Sequence, residues 1–151
     1  MSDDDALPRV LDIISAAVFY IPAVTYCKAF QGRSYLLHFD AQNPFPGPLQ
    51  GRASHILDVA YLFQNYAQFL TPEQQGVAVS LAKKMIAFVA GEEPWGKYDD
   101  KGTALVLTDK EIGEVTFDKY EGRQKVIWEI IQQMGGDKLI SVLFGYMANA
   151  H

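Results

Sequence analysis

Proton transfer is the chemistry for which this sequence offers a placed group. Of its three histidines, His38, His55 and His151, the last is terminal and His38 falls within a strand-like apolar run. His55 instead closes Pro46-Gly47-Pro48-Leu49-Gln50-Gly51-Arg52-Ala53-Ser54-His55, a loop between a strand pattern and a helix pattern. Loops at the carboxyl ends of strands are where α/β proteins gather working residues, and imidazole exchanges protons near neutral pH. The same position also suits a histidine that only hydrogen-bonds the start of a helix. Asp58, one helical turn on, is placed either to orient the imidazole or to sit solvated. Tyr35, Tyr61 and Phe63, with Tyr66, supply aromatic surface for an apolar ligand pocket or for plain core packing.

Nucleophilic and metal chemistry find less support. None of the six serines (2, 15, 34, 54, 80 and 141) lies in G-x-S-x-G. Gly32-Arg33-Ser34-Tyr35-Leu36 has the first half of that motif and lacks its second glycine. No Gly-rich phosphate loop and no paired-histidine spacing occurs. Cys27 is the single cysteine, which excludes an intrachain disulfide and disfavours a cysteine-held zinc. No cofactor and no metal are expected.

The elements that must position these groups read as mostly helical. Pro8, after an acidic start, opens an apolar helical stretch over about 7–20, and Pro22 begins a second helix over 23–30, stopped by Gly32. Ser34–Phe39 is the one convincing strand, bounded by glycine and Asp40. A loop over 40–54 leads to a helix over 56–70, with Leu57, Tyr61, Leu62 and Phe69 on its apolar face. Thr71 caps the next helix, with Pro72 first and Val77, Leu81, Met85 and Val89 as its inward stripe, ending at Gly91. Thr103–Leu107 and Val115–Phe117 suggest a small hairpin. Helices over 120–134, with Val126, Ile127, Ile130 and Ile131 inward, and over 138–147 complete the chain. A lone strand cannot satisfy its own backbone groups. The pattern therefore predicts an α+β domain over 1–151 whose central strand is completed by oligomerisation, as a homodimer or with a hetero-subunit. The face around Leu139, Leu143 and Phe144 also wants cover.

Taken in order, several segments resemble one family. Gly51-x-x-x-His55-x-x-Asp58-x-x-Tyr61-x-Phe63 is similar to the surroundings of the general-base histidine in type-B carboxylesterases and related fungal lipases, which are α/β-hydrolases. Asp12…Phe19-x-x-Pro22-Ala23 and Tyr35-x-x-x-Phe39-Asp40 resemble the helix and strand before that histidine. Phe88-Val89-Ala90-Gly91-Glu92-Glu93-Pro94-Trp95-x-x-Tyr98 resembles a helix end and Pro-Trp turn near the family's carboxyl terminus, and Arg123…Trp128 fits its last helix. The resemblance covers about residues 9–130, with Ile56 where glycine is common and Asp58 where glutamate is common. It implies a partial α/β-hydrolase that retains the histidine and has neither serine nor acid on the same chain. His55 cannot run a triad without them. What the resemblance implies is non-hydrolytic acid–base work by His55 on a hydrophobic small molecule: isomerisation, dehydration or cyclisation, in natural-product biosynthesis. A split esterase subunit and a non-catalytic binding or assembly module are the alternatives.

Composition narrows the partners. Lys plus Arg is 13 against 18 for Asp plus Glu, a net charge of −5, which disfavours nucleic acid and anionic lipid. The acidic start Met1-Ser2-Asp3-Asp4-Asp5 lacks the basic region of a secretory signal. The uncharged run Ile13–Val24 is short for a membrane span and contains Pro22. The expectation is a cytoplasmic protein with no membrane span.

Overall fold

A computed structural model describes residues 10–116 and 125–148. These form an α+β arrangement of helices with a small mixed sheet. They fall into two compact units, residues 10–31 with 125–148, and residues 32–116.

The first unit is helical. Helix α1, Val10–Ala29, runs unbroken through Pro22. A proline inside a helix lacks an N–H and crowds the carbonyl four residues back. The turn Ala16–Tyr20 widens to a π-helix, with the Ile21 N–H reaching back to the Ala16 carbonyl, and so Pro22 enters without ending the helix. The expected break at Pro22 is therefore corrected. The resulting 20-residue helix is long and apolar enough to cross a bilayer. Core helices of soluble proteins and signal sequences share that property. Ala16 and Ile21 are buried, with Ile13 and Tyr20 packed against them. Helices α4, Lys125–Met134, and α5, Gly136–Ala148, pack on each other, and α5 also packs on the π turn. Leu139 is buried, while Phe144 and Ile130 are exposed; Ile130 thus does not point inward. The side chains of Val126, Ile127, Ile131 and Leu143 lie outside the described residues.

The second unit holds the sheet. Strand β1, Leu36–Phe39, pairs in parallel with β2, Ala104–Leu107, with Leu36 opposite Ala104 and Phe39 opposite Leu107. Strand β3, Ile112–Val115, pairs antiparallel with β2 through a turn in which the Thr108 N–H donates to the Glu111 carbonyl. The hairpin is tighter than its sequence suggests, and Phe117 lies outside the described residues. Strand β1 thus finds a partner within its own chain. The expectation that only oligomerisation could complete it is corrected: the hairpin supplies β2, and among the described residues the other edge of β1 has no partner strand.

Two helices cover one face of this sheet. Helix α2, Leu57–Phe63, ends where Gln64 turns left-handed, φ 55°, and a short 3-10 turn, Ala67–Phe69, follows. The single helix expected over 56–70 is therefore two pieces. Helix α3, Pro72–Val89, starts with a capping box: the Thr71 hydroxyl accepts from the Gln74 N–H while the Gln74 side chain accepts from the Thr71 N–H. It ends in a Schellman motif, with the Glu92 N–H on the Ala87 carbonyl and Gly91 at φ 81°. Val77, Ala78 and Leu81 from α3 meet Leu57 and Tyr61 from α2 and Leu107 from β2 in the core. Val89 is 83 % exposed. A spacing of four drifts about 40° per step at 3.6 residues per turn, so the expected inward stripe has rotated outward by its last member.

Candidate functional site

The loop that carries His55 is an ordered structure. The Asp40 N–H extends the sheet by donating to the Leu107 carbonyl at 2.7 Å. The loop's neck is closed by two main-chain bonds, the Asn43 N–H on the Arg52 carbonyl at 3.0 Å and the Gly51 N–H on the Asn43 carbonyl at 2.9 Å. Inside it the Asn43 side chain accepts from the Phe45 N–H at 2.9 Å. Gly51, at φ 76°, occupies a left-handed position that a side chain would resist. Phe45 anchors the loop by packing edge-on against Tyr66 and Phe69, with ring centroids 5.7 and 5.5 Å away. A neck joined by main-chain bonds and a tip held by its own side chains describe a compact Ω-loop.

His55 follows this neck on an exposed turn. The Leu57 N–H donates to the Ser54 carbonyl at 3.2 Å, and Ile56 sits at φ 71°, ψ −7°. A positive φ with ψ near zero at the third position is the type II signature, a place for glycine. Here a β-branched side chain occupies it, 59 % exposed. That is local strain immediately beside the candidate acid–base residue. Asp58 lies in the first turn of α2 and is exposed, and no hydrogen bond or ion pair joins it to His55 among the described residues. Beyond it Val59 and Phe63, four residues apart on the outer side of α2, are exposed together with Ile56. His55 therefore borders an apolar strip open to solvent.

The three aromatic residues expected to line a pocket are not brought together. Tyr35 precedes β1, at the opposite end of the strand from the loop 40–54. It packs edge-on between Phe88 and Trp95, centroids 5.9 and 5.8 Å away. Tyr61 and Phe63 are two apart on a helix and hence point in nearly opposite directions. Tyr61 is fully buried against Phe39, centroid distance 5.1 Å, while Phe63 is 67 % exposed. The Tyr61 hydroxyl is buried and has no hydrogen-bond partner among the described residues. Burial, with a smaller contribution from the Asp109 charge, pushes its pKa up to about 12.

Beside the Ω-loop, beyond the carboxyl ends of β1 and β2 and at the amino end of α3, lies an open depression of about 630 Å³. Its floor is a polar network absent from the expectations. Gln74, 5 % exposed, accepts from Thr71 and donates to Asp109 at 2.8 Å, and Asp109 also takes the Gln42 N–H at 2.8 Å. These bonds tie helix α3 to the ends of both strands, so the groups are already satisfied by one another. Nearby, Glu73 is held below the usual carboxylate range by its own backbone amide at the helix start and by the Thr71 side chain. The Thr71-x-x-Gln74 spacing was the available sequence signal for this network. No group of metal-ligating side chains is assembled among the described residues.

No family model matches this chain, and neither a curated protein nor a solved structure shows significant similarity to it.

Proposed function

We propose that the chain supplies His55 as the acid–base group for non-hydrolytic chemistry on a hydrophobic small molecule. Isomerisation, dehydration or cyclisation in natural-product biosynthesis fits, in the cytoplasm and on a framework derived from the carboxyl-terminal part of a type-B carboxylesterase. One observation carries the reading: His55 stands on a strained turn at the foot of an ordered loop, with Ile56, Val59 and Phe63 exposed beside it. An imidazole alone in water is an ordinary base. Placed against an apolar surface that holds the substrate, it gains the roughly 10²- to 10⁴-fold of a positioned proton-transfer group. The strip is open in the single chain. Water is excluded when a second subunit covers it, so the working form is a homodimer or a hetero-assembly.

The absence of a nucleophile elbow argues against an acyl-enzyme route on this chain. A suitable probe is 5-nitrobenzisoxazole, an apolar molecule that opens to a coloured cyanophenolate when a base takes its carbon-bound proton and the N–O bond breaks. His55→Gln should abolish protein-catalysed ring opening and leave thermal unfolding in place, because an exposed loop residue contributes little packing. A variant that keeps the rate, or that unfolds instead, would remove the support.

A second reading, a non-catalytic assembly module, draws on Val79, Ile86 and Val89, exposed apolar residues along the outer side of α3. Helices apolar on more than one side belong in larger assemblies. That reading expects His55→Gln to change nothing.

A further inference from the structure

The two edges of the sheet differ in kind. Strand β3 bears Gly113 and Glu114, both exposed, and follows exposed Lys110 and Glu111. Charges and glycine on an edge discourage another strand from adding there. Strand β1, at the other edge, is Leu36-Leu37-His38-Phe39, with every side chain buried or half-buried and with no lysine, carboxylate or proline. Runs buried or half-buried on both faces and free of edge-defending charge belong to the interior of sheets.

The direction of the main chain shows what β1 leaves open. Because the Asp40 N–H donates to the Leu107 carbonyl, strand alternation turns the backbone groups of Leu36 and His38 toward β2 as well. Those of Leu37 and Phe39 then face away from the sheet. Among the described residues no hydrogen bond reaches the amide of Leu37 or of Phe39 on that side.

We propose that the outer edge of β1 pairs with β1 of a second copy of this chain, antiparallel about a two-fold axis. The product is a six-stranded sheet in the order β3-β2-β1-β1-β2-β3. Closure selects a second copy over a foreign strand. A foreign strand would bring a further edge needing its own cover, whereas the two-fold pair ends at both sides in β3, whose charges already defend it. The contact is isologous, and in the registers that set Leu37 opposite Leu37 or opposite Phe39 of the second copy, Leu37 both donates and accepts. The inference rests on the function proposed above only in naming the covering subunit. Its test uses neither His55 nor a substrate, so each can fail without the other.

The test is light scattering and amide hydrogen exchange on the full chain across a dilution series. The expected result is a dimer at micromolar concentration that separates on dilution. Leu37 and Phe39 amides should be protected in the dimer and lose that protection in the monomer, while Leu36 and His38 amides stay protected in both. Leu37→Pro removes an outward N–H without touching the bonds to β2, and should shift the mass from two chains to one with the unfolding transition retained. If Leu37→Pro fails to fold, the exchange pattern of the unaltered protein still decides. A monomer at every concentration would overturn the proposal. So would a dimer in which the Leu37 and Phe39 amides exchange freely, or a folded Leu37→Pro that remains a dimer.

Discussion

Replacing Ile56 by glycine should make this protein more stable, against the general expectation for removing a large apolar side chain. The residue sits at φ 71°, ψ −7° and is 59 % exposed, so little packing is lost. Holding an L-residue in the left-handed region costs roughly 1–2 kcal/mol, and a β-branched one is a true outlier there. Glycine removes that cost but adds about 0.5–1 kcal/mol of unfolded-chain entropy. The balance is a gain of about 0.5–1 kcal/mol, a rise in Tm of roughly 2–8 °C for a unit of this size. Ile56→Ala keeps a Cβ in the same backbone region and should recover much less. Thermal and urea unfolding of the three proteins at one pH are the assay. A drop in Tm for Ile56→Gly, or equal gains for glycine and alanine, would refute the strain argument. If the glycine variant is more stable yet loses catalysed proton transfer, Ile56 is retained for the apolar strip at the expense of stability, a common trade at working sites.

Other perturbations test the surroundings of the site. Tyr61→Phe removes a buried hydroxyl that has no partner among the described residues and should stabilise by about 1 kcal/mol at neutral pH. Because the folded-state pKa of Tyr61 is raised from 10.0 to about 12, its contribution to stability is intact below pH 10 and declines as pH rises toward 12. The phenylalanine variant should therefore show a shallower loss in that window by denaturant unfolding, and an unchanged slope would contradict the assignment. Gln74→Glu keeps the capping box but turns a donor to half-buried Asp109 into a buried carboxylate facing it. It should destabilise by about 2 kcal/mol or more near neutrality and recover part of that on acidification, as one of the pair takes a proton. A fluorophosphonate probe should leave all six serines unlabelled, and stoichiometric labelling of any of them would contradict the absence of a nucleophile elbow.

Legibility in the sequence followed the range of the interactions. Local signals read correctly: the Thr71 cap with Pro72, the Gly91 stop, strand β1 between Gly32 and Asp40, and the loop leading to His55. Each depends on residues within a turn of one another. Elements decided by tertiary contact did not. The pairing of β1 with β2 joins segments about 68 residues apart, and a short run such as Ala104–Leu107 carries no mark of its partner. Pro22 looks like a helix boundary because a π turn is invisible to composition. Gln64 ends α2 in a left-handed conformation that its residue type does not advertise. In the site, His55 was legible as a loop residue. The separation of Tyr61 from Phe63 follows from helical geometry alone and was available from the moment both were placed on one helix. The Gln74–Asp109 bond, a long-range contact between a helix start and a hairpin turn, was not.

The most direct test of His55 as the acid–base group compares two titrations on one sample. The rate of 5-nitrobenzisoxazole opening should rise with pH and level off as the base loses its proton. Histidine-labelled NMR follows the His55 imidazole through the same range, with His55→Gln assigning the signal. The account predicts that the two curves share one midpoint, and that the rate in His55→Gln falls to that of the uncatalysed reaction at every pH. A rate whose midpoint departs from the His55 titration, or one that survives in His55→Gln, would contradict it.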